Sequence, residues 1–409
     1  MKSAIVSAVV MAICAGANGQ TVRAWGRNAA GQCNVPVDLG NVRALAVGLD
    51  HNLAIRSDGT VRAWGANHAG QCSVPSDLVN VISVAARYDR SFAIQADGAV
   101  RAWGNNSYGE CDVPSDLGPV SLIGAGFSHT VALLADGAVR AWGNNDYGQC
   151  TIPADLRAVT TLSAGAHFNL AVRTDGSVRA WGANPYGACS VPGDLPPAVA
   201  VAGGTWHSVA LTVGGDVHAW GAGAVNAGNW PDYGQSMVPS NLGPAVAIAA
   251  EDHTAVLCAT GRIHAWGKNA HGNCNVPIGL GNASLIGVGN DHTVAVVGPP
   301  LPDGDNDGIP DADDNCPNVS NSSQQDCDGD GIGNACDSGG DFNGNGVPDN
   351  CECIADLFVD HRVNGADLGA MLSQWGPALP TTASDLNRDG TVNGFDLSYL
   401  LANWGPCPN

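Results

Sequence analysis

Basic residues are scarce in this chain. Lys and Arg together number 17 against 38 Asp and Glu in 409 residues, for a net charge of −21. Binding along a phosphate backbone needs several cations on one surface, and no basic cluster exists, so nucleic acid is not expected as a partner. Long apolar runs are missing too. Past the first residues no stretch approaches the roughly 18 that cross a bilayer, and no transmembrane span is expected. Catalytic signatures are equally lacking: no G-x-S-x-G, no H-E-x-x-H, no paired carboxylates and no isolated Cys/His set stand apart from the rest. The chain does not read as an enzyme.

The charge is unevenly placed. Residues 301–409 hold 19 Asp and Glu against two Arg, a net of −17, which leaves −4 for everything before. A boundary is therefore expected near residue 300, beside the linker Gly298-Pro-Pro-Leu-Pro302. At the other end, Lys2, the small-residue apolar stretch Ala4 to Ala15 and the step Ala15-Gly16-Ala17 read as an export signal over residues 1–19. The mature protein is expected to be secreted, extracellular or on the cell surface, with the periplasm also open.

Ala-Trp-Gly recurs at Trp25, Trp64, Trp103, Trp142, Trp181, Trp220 and Trp266, in five equal steps and a longer sixth. His51, Arg90, His129, Phe168, His207, His253 and His292 follow the same ruler, so seven units are counted twice. In each unit alternating apolar runs, an Asp-Gly pair and a run ending in Trp-Gly read as short antiparallel strands, with Asp-Gly as a type I′ hairpin turn. A sheet of three or four such strands cannot bury both faces alone, and stacking around an axis makes it a propeller blade. The chain opens on TVRAWG at 21–26, whereas the last unit, 284–297, stops before its own Trp-Gly strand. The first strand is expected to complete the seventh blade and close the ring. The fold class is thus an all-β seven-bladed propeller over residues 20–298, expected to be monomeric, with the Trp series in its core.

Three further series sit on this ruler. The histidines are expected to satisfy backbone groups inside each blade. Cys33, Cys72, Cys111, Cys150, Cys189 and Cys274, with Met237 in the sixth unit, read as small buried apolar residues, because equivalent points of neighbouring blades lie beyond the roughly 7 Å Cα reach of a disulfide. The loops around the His series vary. There Tyr88, Phe127, His167, Phe168 and Trp206 form an arc of aromatics across consecutive blades, and Trp230 lies in a seven-residue expansion within 222–233. Exposed aromatics flanked by Asp are interface anchors, so this rim is the expected binding surface for a protein partner.

The pattern V-x-A-W-G-x-N-x-x-G-Q-x-x-V-P followed by x-A-G-x-x-H-x-x-A-L-x-x-D-G, in seven copies over residues 21–298, resembles the regulator of chromosome condensation repeat family. The short unit and its V-P step look most like a secreted bacterial β-lactamase inhibitor type of that family. The resemblance implies a seven-bladed propeller whose rim loops contact a protein. Exchange-factor activity belongs to members with longer repeats and is not carried over.

Beyond the linker a different ruler begins. A twelve-residue loop that wraps Ca²⁺ needs oxygen ligands at positions 1, 3, 5, 9 and 12, a carbonyl at 7 and Gly at 6. Asp303, Asp305, Asp307, Ile309, Asp311 and Asp314 fit, as do Asp326, Asp328, Asp330, Ile332, Asn334 and Asp337. So do Asp341, Asn343, Asn345, Val347, Asp349 and Glu352, and likewise Asp385, Asn387, Asp389, Thr391, Asn393 and Asp396, with Ile309, Ile332, Val347 and Thr391 lending carbonyls. A further loop offers Asp356, Asp360, Asn364 and Asp367, but Phe358 stands at position 3 and His361 at the Gly position, so weak binding is expected there. Calcium is the expected cofactor, with the ion replacing a hydrophobic interior.

Residues 299–353, with D-x-D-x-D-G-x-x-D-x-x-D-N-C-P, resemble thrombospondin type 3 repeats, an irregular calcium-loop segment whose family implies a bridge, here Cys316 to Cys336. Residues 354–409 are similar to dockerin type I, a small α-helical module of paired EF-hand-like loops. Its two loops start at Asp356 and Asp385, the same step that separates Trp375 from Trp404. Leu368, Met371 and Leu372, or Leu397, Leu400 and Leu401, give each helix one apolar face. Gly365-Ala366 and Gly394-Phe395 depart from the dockerin pattern where a cohesin-like partner would be read. Six tail cysteines allow 15 pairings; placement on either side of the module suggests Cys353 with Cys407, leaving Cys327 with Cys351. Three functions follow as expectations: an exported scaffold or adhesion protein tethered by its tail, an accessory of an extracellular polysaccharide-degrading assembly, or a secreted enzyme inhibitor.

Overall fold

The computed structural model describes residues 19–299 and, in the C-terminal part, 304–305, 309, 311, 314–321, 324–325, 332–333, 335–336, 355, 357, 362–378, 382, 384–386, 389–402 and 404–406. The chain divides into two compact units, Met1–Pro300 and Leu301–Asn409. The expected export signal lies almost wholly outside the described residues.

Seven three-stranded antiparallel sheets make up the first unit. Blade 1 is Val42–Val47, His51–Arg56 and Val61–Gly65. Its pattern recurs from Val81, Val120, Val159, Ala198 and Ala245 for blades 2 to 6. Blade 7 takes Ala283–Val288 and His292–Val297 from the C-terminal end and Thr21–Gly26 from the N-terminal end, with Thr21 opposite Val297 and Gly26 opposite His292. First strands pack on first strands all the way round, including blade 7 against blade 1. Ring closure by the N-terminal strand is therefore as the repeat count predicts.

Composition explains the ring. The innermost strands are rich in Ala and Val, with Gly and Ser among them, and small residues let seven strands crowd one axis. A Cβ added at Gly203 would lie 2.6 Å from the Gly165 nitrogen. A small cavity of about 30 Å³ lies at the centre, lined by residues such as Ala46, Ala86, Gly124 and Ala202. Apolar clusters fill the space between successive blades and carry the tryptophans, with Trp64, Trp181 and Trp220 buried.

The Asp-Gly turns differ from the type I′ expectation. Gly59 has φ +85°, but Asp58 stays at negative φ and its Oδ1 accepts Thr60 N–H at 2.9 Å. Gly59 N–H donates to Arg56 O and Arg56 N–H to Thr60 O, which is a type I turn closed by a left-handed Gly. The carboxylate holds the turn, and only one residue needs positive φ.

The His series also acts otherwise than expected, joining blades instead of satisfying groups within one. His51 Nε2 lies 2.9 Å from Ser91 Oγ of the next blade. That hydroxyl donates to Gln71 O at 2.8 Å, the same carbonyl that takes the Trp103 indole N–H at 2.9 Å. His129 meets Asn169, His207 meets Thr254, His253 meets Thr293, and His292 meets Asn52 across the closure. Asn169 and Asn52 donate their amides to Gln149 O and Gln32 O, so their oxygens face the imidazoles, which must carry the proton on Nε2. Burial lowers the His51, His129 and His253 pKa values to about 4 and those of His207 and His292 to about 3, so all five rings are neutral.

The repeat cysteines are half-buried thiols with a hydrogen-bonding role, not apolar fillers. Cys33 Sγ donates to Arg27 O at 3.2 Å, and Cys72, Cys111, Cys150, Cys189 and Cys274 repeat the contact six residues back. Burial pushes the Cys33 thiol to about 11 and Cys274 to about 12, which keeps both protonated as donors. The sixth unit uses Ser236 Oγ on Ala222 O, so Ser236, not the exposed Met237, is the equivalent residue. A thiol and a hydroxyl share one task here, closing the loop after each Trp-Gly.

In the second unit Cys316 and Cys336 form a disulfide with Cα atoms 5.5 Å apart. The unit also holds helices α1 (Gly365–Ser373) and α2 (Gly394–Ala402), and short pairings join 362–363 to 405–406 and 376–377 to 391–392. Met371 and Leu400 are buried with Ala355, Val363, Leu386 and Val392. Leu372 and Leu401, expected on the packed face, are each half exposed, as are Trp375 and Trp404. Among the described residues no helix is long and apolar enough to cross a membrane.

Candidate binding cleft at the propeller mouth

The hairpins between first and second strands gather at one end of the ring, joined by backbone bonds: Leu49 N–H to Tyr88 O at 3.0 Å, Phe127 to Ala166 O at 2.7 Å and Thr205 to Glu251 O at 2.9 Å. Five of them begin with Gly48, Gly126, Gly165, Gly204 and Gly289. A Cβ at any of these would fall 2.0–2.4 Å from the ring of the His or Phe that ends the hairpin. Blade 2 breaks the rule twice, with Arg87 at the Gly position and Arg90 at the His position. Without an imidazole there, the Arg87 Cβ meets no ring. Blade 6 breaks it by deletion. Ala250 pairs with Thr254, leaving three residues in the bend where Val47 and Asn52 leave four, and Glu251 leads the shortened hairpin.

These two departures meet across the axis. Arg87, 9 % exposed, donates Nη1 to Gly203 O of blade 5 at 3.1 Å and forms an ion pair with Glu251 of blade 6, which is 5 % exposed. Burial lifts the Glu251 carboxyl to about 7, with Arg87 opposing the rise. Arg90 is itself locked to Glu110 at 2.8 Å and to Gly126 O.

The Arg87–Glu251 pair lines a cleft of about 290 Å³ with two unlike walls. One wall is a chain of rings. Tyr88 and Phe127 lie edge to face at 4.1 Å, Phe127 and His167 at 5.2 Å, His167 and Trp206 at 5.7 Å, and Trp206 and Trp230 at 6.4 Å. Tyr147 backs His167 at 5.3 Å, and Tyr186 touches both Trp206 and Trp230. The other wall carries Glu251, Asp252 and Asn290. Burial raises the Tyr88 hydroxyl, with Glu251 adding, and lowers His167, with Arg87 adding.

Tyr88, Phe127, His167 and Trp206, expected on one rim, and Trp230, expected in the inserted loop, share one cleft. Phe168 is a correction: it is fully buried, because its ring occupies the pocket against Gly165 that imidazoles fill in other blades. Tyr147 and Tyr186 escape the sequence reading, although both stand at one repeat position, just ahead of the G-Q-C loop. The net seven-residue expansion also hides two events. Gln235 follows Trp220 at eight positions more than Gln71 follows Trp64, so eight residues are inserted there, and one is lost at the Glu251 hairpin. The insertion forms a small ladder, Asn226–Asn229 with Asp232–Tyr233, that brings Trp230 to Trp206.

In the second unit the described loop residues adopt a distinctive arrangement. Asp385 accepts Asp389 N–H at 3.1 Å and Gly390 N–H at 2.9 Å, and Gly390 has φ +84° as a sharp turn at position 6 demands. Buried Asp396 accepts Leu386 and Asn393 N–H, both at 2.8 Å. Asp367 caps Asn364 N–H likewise at 2.8 Å. Asp314 accepts Cys316 N–H at 2.7 Å, and Asp311 accepts Gly304 N–H. Asp305, Ile309, Ile332 and Thr391 are also described. Among the described residues no three His, Cys, Asp or Glu side chains converge on one point. Asp303, Asp307, Asp326, Asp328, Asp330, Asn334, Asp337, Asp341, Asn343, Asn345, Val347, Asp349, Glu352, Asp356, Asp360 and Asn387 lie outside the described residues, as do Cys327, Cys351, Cys353 and Cys407.

Residues 42–71, 120–149 and 159–188 match the regulator of chromosome condensation (RCC1) repeat. The propeller is of the RCC1 type. Similar solved structures include Prp20p from Saccharomyces cerevisiae, described with its binding to Gsp1p and histones, at TM-score 0.59 and 19% identity over 70% of this chain and 93% of that one. Yeast RCC1 (Prp20) bound by Kap60 gives 0.57 and 20% over 73% and 91%. Human WBSCR16 gives 0.56 and 20% over 69% and 100%. At these identities the likeness of the RCC1-type propeller is one of fold. No curated protein matches the sequence.

Proposed function

We propose that this chain is an exported, calcium-binding scaffold or adhesion protein whose RCC1-type propeller captures a protein partner at its mouth and whose dockerin-like tail tethers it to a cell surface or extracellular complex. The observation that carries the capture step is the unbroken run of rings around a cleft lined by Arg87, which stands where the repeat has Gly. Rigid aromatics around a desolvated floor are what protein interfaces use as anchors, and a related propeller, Prp20p, is described as binding proteins.

Calcium is proposed for the tail loops. Asp385, Asn387, Asp389, Asn393 and Asp396 with the Thr391 carbonyl would supply the donors of the last loop, and the left-handed Gly390 beside Asp385 is the turn the twelve-residue template needs at position 6. When bound, the ion neutralises carboxylates that otherwise repel one another. The proposal is tested with the full-length protein. Wild type should retain a specific secreted partner that Trp206→Ala releases, and EGTA should abolish tail anchoring while leaving that capture intact. Retention unchanged by Trp206→Ala would end the rim assignment, and calorimetry without calcium uptake would end the tail assignment.

A further inference from the structure

The hairpins around the mouth carry more carboxylates than permanent cations. Five rim hairpin carboxylates, Asp50, Asp89, Glu251, Asp252 and Asp291, are answered by three permanent cations. Arg27 meets Asp50 at 3.2 Å, Arg87 meets Glu251, and Lys268 is shared between Asp252 at 2.9 Å and Asp291 at 3.1 Å. His68 and His271 stand beside Asp89 and Asp291 at 3.2 and 3.9 Å. The carboxylates feel one another across the mouth: burial raises Asp50, Arg27 opposes, and Asp291 and Asp89 add to the rise. Facing this acidic wall is the wall of rings, whose π faces carry partial negative charge of their own.

We infer that the cleft receives a Lys or Arg side chain, presented by an exposed loop or chain end of a partner protein, with its charge set between the rings of Tyr88, Phe127 and Trp206 and the carboxylate of Asp252, whose own cation Lys268 is divided with Asp291. The inference rests on the rim being a protein-binding surface and names the group that surface selects. A cation over an aromatic face is attracted by the ring quadrupole, more strongly once water is excluded, and both walls favour the same sign. The cleft has room for one or two side chains, not for a folded element. Every cation already at the mouth is held by a carboxylate, so an anionic ligand finds no free partner. A second copy of this chain, with a net charge of −21, brings charge of the wrong sign to the rim.

Random linear peptides displayed on phage and selected on the immobilised full-length protein test this. The selected peptides are expected to be rich in Lys or Arg. Replacing the single most effective basic residue by norleucine should weaken binding about tenfold or more, and added salt should weaken it further. Phe127→Ala and Asp252→Asn, two rim substitutions outside the blade cores, should each cause a comparable loss with the melting transition unchanged. Peptides without basic excess that still respond to Phe127→Ala would overturn the cation while leaving the rim a protein-binding surface. No selected peptide, or peptides indifferent to both substitutions, would overturn both.

Discussion

Single residues in this propeller are legible through their departures from the repeat. Arg90 stands where imidazoles stand elsewhere and is paired with Glu110, which stands where Gln does in most units; both are essentially inaccessible. Removing one member of such a pair strands a buried charge, so Arg90→Ala should cost about 3–5 kcal/mol in denaturant unfolding. Adding Glu110→Gln should recover part of that loss, since it removes the stranded charge.

Glu251 gives a second prediction at this scale, and its sign is fixed by the direction of the shift. Its carboxyl is raised by burial from 4.5 to about 7, with Arg87 lowering it and Asp252 and Asp291 raising it against Lys268. A raised carboxyl contributes stability that is full below about pH 4.5 and lost as pH climbs through about 7. The wild-type propeller should lose stability over that interval relative to Glu251→Gln, which has no such proton. Equal pH slopes for the two proteins would show that Glu251 is not desolvated.

At the scale of elements, each blade is a hairpin pair plus a Trp strand, and what joins blades is a ring seated against a glycine. Gly126 illustrates this, because a Cβ there would stand 2.0 Å from the His129 ring. Gly126→Ala should lower the propeller's unfolding free energy by about 1–3 kcal/mol. The loss should be smaller in a His129→Ala background, where the ring is gone; a loss independent of His129 would place the strain elsewhere. Strand Thr21–Gly26 is the other decisive element, since it supplies the Trp edge of blade 7 and sends Trp25 Nε1 to Asn273 O at 3.0 Å. Its deletion exposes the edge of His292–Val297, and size-exclusion chromatography should show larger species than the intact protein gives.

For the whole molecule, five neutral imidazoles bridge successive blades, each with a pKa well below the ordinary 6.5. A depressed histidine stabilises the fold above about pH 6.5, and this is lost as pH falls towards 4 and then 3. Acid should therefore open the ring cooperatively within that window, overriding the opposite contribution of one Glu251. The transition should be followed by Trp fluorescence, which reports the propeller core.

Much of this is visible in the sequence. The count of seven, the strand runs and the shared seventh blade follow from the Ala-Trp-Gly ruler, because periodic burial imposes periodic residues, and the same ruler gives the loop addresses of Tyr88, Phe127, His167 and Trp206, whereas Trp230 lies off it in the insertion. Phe168 is misplaced by the same reasoning: the ruler gives a residue's address but not which neighbour its ring leans on. Met237 is misassigned for a different reason: the step Gln235-Ser236-Met237-Val238-Pro239 matches Gln71-Cys72-Ser73-Val74-Pro75 and already marks Ser236, but a hydroxyl is recognised in the place of a thiol only once both are seen to hold the same carbonyl.

Blade number, ring closure and the acidity of the last hundred residues are thus written in local pattern and composition, which suffice for each. That the imidazoles bridge blades, that the thiols hold carbonyls, and that Arg87 and Glu251, from blades 2 and 6, meet at the axis emerges with the folded ring alone. A closed ring makes neighbours of residues at equal height on distant blades, and no one-dimensional spacing records height or facing.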